Sequence, residues 1–257
     1  MDVIPIPCLR DNYAYLLICE QSGEVAVVDP SESEPVLAEL RRRDLSLNAI
    51  LNTHHHWDHV GGNKALLATF PGIQVFGHAS DRGRIPGQTH FLEEGDTVAF
   101  GGQRGSITHN PGHTTGAITY YFGDAAFTGD TLFSAGCGRL FEGTPADMYR
   151  SLNEKIGGHP DETRLYFGHE YTESNLRFAL TVEPNNTAVQ ERLEEVRDLR
   201  ARGEWTTPST LAREWAVNPF MRCDSAEIIE TVQRHEPGTP AEPVAVLAVV
   251  RGLKDRF

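Results

Sequence analysis

Basic residues are in short supply in this chain. Lys and Arg number 23 against 36 Asp and Glu, for a formal net charge of −13. A nucleic-acid partner needs a basic field to neutralise its phosphates, so the balance counts against one. Long apolar runs are missing too, and no stretch approaches the length that spans a bilayer. The start, Met1-Asp2-Val3-Ile4-Pro5, has no basic region followed by an apolar segment, so no secretory signal is expected. Cysteines are few: Cys8, Cys19, Cys137 and Cys223, without a Cys-x-x-Cys spacing. The expectation is reduced thiols in a cytoplasmic protein that neither enters nor binds a membrane. The chain also lacks a Gly-x-Ser-x-Gly elbow, a Walker loop and a Gly-x-Gly-x-x-Gly fingerprint; Gly136-Cys137-Gly138 stops short of the third glycine. Hydrolysis by a serine triad is therefore unsupported.

What the chain does have is a dense run of metal-binding side chains, His54-His55-His56-Trp57-Asp58-His59. It follows the apolar Ala49-Ile50-Leu51 and precedes Gly61-Gly62. That places it on a loop between a strand and a helix beginning near Asn63. Neutral imidazole and ionised carboxylate suit Zn, Fe and Mn. Alternate side chains of an extended segment share a face, so His54 and His56 can converge on one ion. Asp58 and His59 follow where the chain turns and can reach a second position. His55 faces away from its two neighbours and reads as a non-ligand. Three further candidates, His113, Asp130 and His169, each follow a short β-prone run and stand beside Gly or Thr. Taken singly, a histidine of this kind is more often a satisfied core or surface residue; the loop is what raises all of them.

The 257 residues allow one large domain or one domain plus an appendage. Up to residue 171 short strands and helices alternate. Strands are expected at Tyr13–Cys19 and Val25–Asp29, paired around Gln21-Ser22-Gly23, and at 49–52, 74–77, 97–100, 106–109, 118–122, 125–128 and 164–167. Helices are expected at 34–43, 64–70 and 148–156. After Tyr171 only helical patterns remain: 176–182, 188–201, 210–216, 225–235 and 243–253. Glu194 and Asp198 stand at helical spacing from Arg197 and Arg202, which predicts ion pairs along that helix. The division expected is 1–171 and 172–257.

The stretch from Thr53 to His59 resembles the T-H-x-H-x-D-H motif of the metallo-β-lactamase superfamily, and His113, Asp130 and His169 follow in that superfamily's order. Within it the chain resembles the glyoxalase II, or hydroxyacylglutathione hydrolase, family along nearly its whole length. The matching stretches are Asp11-Asn12-Tyr13, Phe127 to Phe133, Ala135 to Arg139, Phe141 to Thr144, Gly168 to Thr172, Pro208 to Leu211 and Asn218 to Arg222. The resemblance implies an α/β fold, an αββα sandwich followed by a small all-α C-terminal domain that binds substrate. It implies two divalent ions per chain, zinc first, with Fe or Mn as alternatives. His54, His56 and His113 would hold one, Asp58, His59 and His169 the other, and Asp130 would bridge them. Asp58, His59 and Asp130 would then be catalytic.

The implied reaction is hydrolysis of S-D-lactoylglutathione to glutathione and D-lactate by a monomer. The glutathione part would meet Arg139, Phe141, Tyr171, Arg251 and Lys254. The family often has tyrosine where this chain has Phe141, which removes one hydroxyl contact; core packing is the alternative role there. For the basic end, dipole complementation of the last helix is the alternative role. Two other functions stay open. One is a glutathione persulfide dioxygenase of the same superfamily with one iron, and the other is a non-catalytic metal-dependent binding protein.

Overall fold

The computed structural model describes residues 1–257. It begins with β1 (Asp2–Cys8), a strand not expected from sequence, where Pro5 and Pro7 interrupt it. Proline offers no N–H to a ladder and is tolerated on a sheet edge. β1 is such an edge, pairing antiparallel with β2 (Asn12–Ile18), Ile4 opposite Leu16. β2 pairs in turn with β3 (Val25–Val28), across the turn expected at Gln21-Ser22-Gly23. α1 (Ser33–Arg43), β4 (Leu47–Leu51), α2 (Trp57–Val60), α3 (Asn63–Thr69), β5 (Gln74–His78) and β6 (His90–Leu92) follow. β3, β4, β5 and β6 are parallel neighbours. Parallel pairing needs crossover connections, and α1 and the α2–α3 stretch supply two of them.

α1 shows how local signals agree. Glu34 lies in its first turn and Arg41, Arg42 and Arg43 in its last, so both ends complement the helix dipole. Val36 and Leu40, four apart, are buried against Val27, Ile50 and Val75 of the sheet. Asp44 ends the helix with φ 56°, a left-handed conformation that Asp tolerates.

A second sheet follows: β7 (Thr97–Phe100), β8 (Gln103–His109), β9 (Ile118–Phe122) and β10 (Ala125–Gly129), each antiparallel to the next. Tyr166 and Phe167 extend it, with the Thr128 hydroxyl donating to the Tyr166 carbonyl at 3.3 Å. Aromatic rings fill the space between the sheets. Tyr15 meets Phe127 and Tyr166 edge-on at 5.6 and 5.3 Å, and its hydroxyl donates to the Phe167 carbonyl. These strands make up one compact unit, Met1–His109, Gly116–Gly129 and Tyr166–His169.

The other unit comprises Asn110–Thr115, Asp130–Leu165 and Glu170–Phe257. It opens with the hairpin β11 (Leu132–Phe133) and β12 (Gly136–Cys137). The helix expected at 148–156 is broken into three pieces. α4 (Pro145–Tyr149) starts earlier, at a Thr144–Asp147 capping box with Pro145 in its first turn, and a π turn over Arg150–Lys155 and a 3-10 turn over Ile156–Gly158 follow. β13 (Arg164–Phe167) pairs through Arg164 and Leu165 with β14, a two-residue strand at Ser209–Thr210, so the C-terminal part is not free of strand. Its helices are α5 (Thr172–Val182), α6 (Thr187–Ala201), α7 (Leu211–Val217), α8 (Ala226–His235) and α9 (Pro243–Arg256). Leu176 and Ala179 of α5 pack with Val189, Leu193 and Val196 of α6. The ion pairs differ from those expected: Arg197 pairs with Glu173 and Arg202 with Glu204. Partners outside the helix compete successfully for exposed cations, because pairs along a helix are worth only about 0.3–0.5 kcal/mol.

Candidate metal centre

In the first unit the metal-binding run is closed at its base by Asn52. The Asn52 amide donates to the His59 carbonyl at 3.1 Å and accepts from Asn63 at 2.8 Å. The run is less loop-like than expected. Trp57–Val60 forms one helical turn, and His59 N donates back to the His56 carbonyl at 2.9 Å. That turn carries Asp58 and His59.

Two imidazoles are held at one nitrogen and turned towards Asp58 with the other. His59 Nδ1 lies 3.1 Å from Asp29 Oδ2, and its Nε2 lies 3.8 Å from Asp58 Oδ2. His169 Nδ1 lies 2.9 Å from Asp11 Oδ1, and its Nε2 lies 3.4 Å from Asp58 Oδ2. A carboxylate that accepts from Nδ1–H leaves the lone pair on Nε2, the arrangement of a metal-ligating histidine. One donor atom from each of Asp58, His59 and His169 lies within 4.8 Å of the others, so this set fits a divalent cation. Asn12 steadies Asp58 by donating to its carbonyl at 3.0 Å and its carboxylate at 3.2 Å. His54 and His56 stand together, ring centroids 4.8 Å apart. Asp29 also lies within ligand distance of His54 and His59. Its oxygens, however, accept from Thr53 N at 2.8 Å and the Thr53 hydroxyl at 2.6 Å, so it orients the ligands.

The second unit brings His113 and Asp130 together, with Nε2 to Oδ2 at 3.6 Å. His113 Nδ1 is held by the Arg139 carbonyl at 2.8 Å. Gly138 permits that approach. A Cβ there would fall 2.7 Å from His113 Nδ1 and would collide with the Asp130 carbonyl.

The orienting residues Asp11, Asn12 and Asp29 carry no expected role from sequence. Asp11 is 158 positions from His169, so no spacing could reveal the pair. Asp29 follows β3 with φ 45°, unusual for a non-glycine residue, but in sequence it reads as the last residue of that strand.

The expected glutathione contacts divide sharply. The Arg139 side chain is 62% exposed, with Nε 3.5 Å from Asp255. Phe141 is 63% exposed and its ring sits 5.3 Å from that of His113, so it is not a core residue. Tyr171 is 37% exposed, 5.4 Å from Phe133. Arg251 is only 5% exposed. Its Nη1 donates to the Cys137 carbonyl at 2.7 Å, its Nη2 lies 3.2 Å from Asp255, and its guanidinium covers the Phe220 ring. The guanidinium expected to meet glutathione is thus engaged by the protein's own groups. α9 runs on to Arg256, past the 253 expected, so it carries both Arg251 and Lys254. Lys254 Nζ donates to the Ser174 carbonyl at 3.3 Å. Burial first, and the like charge of Arg251 second, lower its amine pKa to about 8.

Residues 9–169 match the model of the metallo-beta-lactamase superfamily, and residues 170–257 match that of the hydroxyacylglutathione hydrolase C-terminus. A hydroxyacylglutathione hydrolase from Synechococcus sp. (strain PCC 6301) is 50% identical over 260 residues, covering 98% of each chain. Another from Gloeobacter violaceus is 51% identical over 251 residues, covering 97% of each. The chain belongs to the hydroxyacylglutathione hydrolase family. The crystal structure of ETHE1 from Myxococcus xanthus covers 100% of both chains at a TM-score of 0.65, but with 25% identity. The half-identical, full-length relatives favour the hydrolase family over that branch of the superfamily. The fold is accordingly the metallo-β-lactamase sandwich followed by a helical region, in a metal-dependent hydrolase.

Proposed function

We propose that this hydrolase cleaves S-D-lactoylglutathione to glutathione and D-lactate, the second step of methylglyoxal detoxification. The observation that carries the reading is a pair of carboxylate-held histidines, His59 and His169, turned on Asp58. They occur in a chain half identical to its named relatives over nearly full length. Two divalent ions per chain, zinc in the first instance, fit the donor set. His54, His56 and His113 would hold one and Asp58, His59 and His169 the other, with Asp130 available to both. When bound, such ions supply a water activated near neutral pH and a Lewis acid for the thioester carbonyl.

The residues of the chain do the rest. Asp29 and Asp11 hold the Nδ1 side of two rings, so their Nε2 atoms keep one direction through turnover. Asp58, fixed by Asn12, orients the attacking water. The departing thiol has an ordinary pKa near 8.5, so it leaves as thiolate and asks no proton of the protein. Arg139, Phe141 and Tyr171 form the exposed part of the glutathione contact, Lys254 adds its ammonium, and Arg251 supports the contact through the Cys137 carbonyl and Asp255. Residues 1–171 act as catalytic domain and 172–257 as substrate domain. The protein works as a cytoplasmic monomer without nucleic-acid or membrane partners; no helix is long and apolar enough to cross a membrane.

The test is thioester hydrolysis by purified protein, paired with elemental analysis. Wild type is expected to carry two ions per chain and to lose activity to a chelator. Asp58→Asn is expected to lower kcat at least about a hundredfold with little change in KM, since even partners of ligands contribute 10–100-fold. Saturation at one ion per chain, or turnover indifferent to chelation, would overturn the reading.

A further inference from the structure

One buried acid in the first unit has no part in the chemistry above. Asp81 closes the 3-10 turn Ala79–Asp81 after β5 and is fully buried. Taking a carboxylate out of water costs several kcal/mol unless cations and N–H groups meet it. Its Oδ1 lies 2.9 Å from His55 Nδ1 and 3.6 Å from Arg84 Nη1. The Arg84 guanidinium also reaches His55 Nε2. The far side of the carboxyl group rests on Gly116, where a Cβ would stand 2.5 Å from it. Backbone and the Arg84 guanidinium therefore confine Asp81, and through it His55.

We propose that Asp81, acting through His55, is a positioning residue for the metal-binding run. The inference rests on the metal reading given above. His55 lies between His54 and His56, the two rings assigned to one ion. Thr53 and His54 lie in a bend, and the His55 side chain leaves it towards Asp81. Tethering it sets the backbone rotation that aims the other two. The His54 and His56 rings stand 4.8 Å apart at 77°, and the His55 ring, 6.4 Å from that of His54 and 5.0 Å from that of His56, has its Nδ1 on Asp81. A ligand pair aimed in advance loses less freedom when the ion arrives and holds it more tightly.

The experiment uses full-length wild type, His55→Ala, His55→Asn and Asp81→Asn. Zinc affinity is measured by competition with a chromophoric chelator, and thermal unfolding is recorded on the metal-free proteins. His55→Ala is expected to weaken zinc binding about tenfold, the lower end for partners that orient ligands. His55→Asn, whose amide nitrogen can stand where Nδ1 stood, is expected to recover most of that loss. Asp81→Asn should fall between wild type and His55→Ala. A role in folding alone predicts lower Tm values with unchanged zinc affinity. That result, or equal affinity in all four proteins, overturns the proposal. Should His55→Ala not fold, Asp81→Asn against wild type carries the same comparison. Failure of the metal reading is distinguishable, since wild type itself would then hold no zinc.

Discussion

The histidine cluster of the first unit and the basic cluster of the second use charge in opposite ways. Around Asp58, acids stand behind the imidazoles: Asp29 and Asp11 hold Nδ1 of His59 and His169 and leave Nε2 facing the proposed ion. Around Cys137, acid and carbonyl groups stand in front of the cation: the Cys137 carbonyl and Asp255 take up the guanidinium of Arg251. The first arrangement presents a reactive group and the second absorbs one. A charged side chain near a site is thus defined by what grips it, and on which side.

The comparison breaks hardest at the acids behind the rings. Asp29→Asn can present its amide NH₂ to His59 Nδ1 and favour the wrong tautomer. Metal affinity is expected to fall 10–100-fold, with kcat following the lost metal and recovering at saturating zinc. Asp11→Asn should act likewise, less severely, because the Asp11 side chain is 31% exposed and water can replace part of its contact. Isothermal titration with zinc reads both. If Asp29→Asn keeps wild-type affinity, the acids do not aim the rings.

This difference also marks how far the sequence could be read. The run from His54 to His59 was legible because five of its six side chains are donor types within one short stretch. The central strands were legible because β3 and β4 are nearly continuous apolar runs of a buried parallel sheet. β1 was hidden by its prolines. Asp11 and Asp29 were hidden because long-range hydrogen bonds leave no trace in spacing. Arg251 shows the limit from the other side. Its place beside Lys254 near the chain's basic end was readable, but its burial against Cys137 depends on a residue 114 positions away.

Arg251→Ala gives the next largest effect. Removing the guanidinium leaves the Cys137 carbonyl without that donor and uncovers Phe220, which is expected to cost about 1–3 kcal/mol. In differential scanning calorimetry a chain of this size should lose on the order of 5 °C in Tm. The change in KM is expected to be similar for glutathione thioesters and for neutral thioesters, because the cation is engaged inside the protein. A KM rise confined to glutathione thioesters, with Tm unchanged, would return Arg251 to the role of a carboxylate clamp.

The smallest effect belongs to Lys254, where pH separates the two kinds of charge use. Its amine pKa is lowered from 10.5 to about 8 in the folded protein. Burial disfavours the ammonium, so charge at this position opposes folding. Below pH 8 both folded and unfolded chains carry the proton, and the penalty is fully present. Between about pH 8 and 10.5 the unfolded chain keeps the proton while the folded chain has lost it, so this residue's contribution to stability improves as pH rises. Lys254→Met keeps an apolar side chain and removes the ammonium, whose Nζ stands 5.2 and 5.0 Å from the ring centres of Phe178 and Phe257. Its Tm advantage over wild type should therefore be greatest below pH 8 and shrink towards pH 10. Glutathione binding should move in the contrary sense. Wild type is expected to bind a few-fold more tightly than Lys254→Met at pH 7, with the gap closing above pH 8 as the ammonium is lost. Calorimetric titration at pH 7 and pH 9 measures it. A gap that persists undiminished at pH 9 would show that Lys254 acts through its stem and not through its charge.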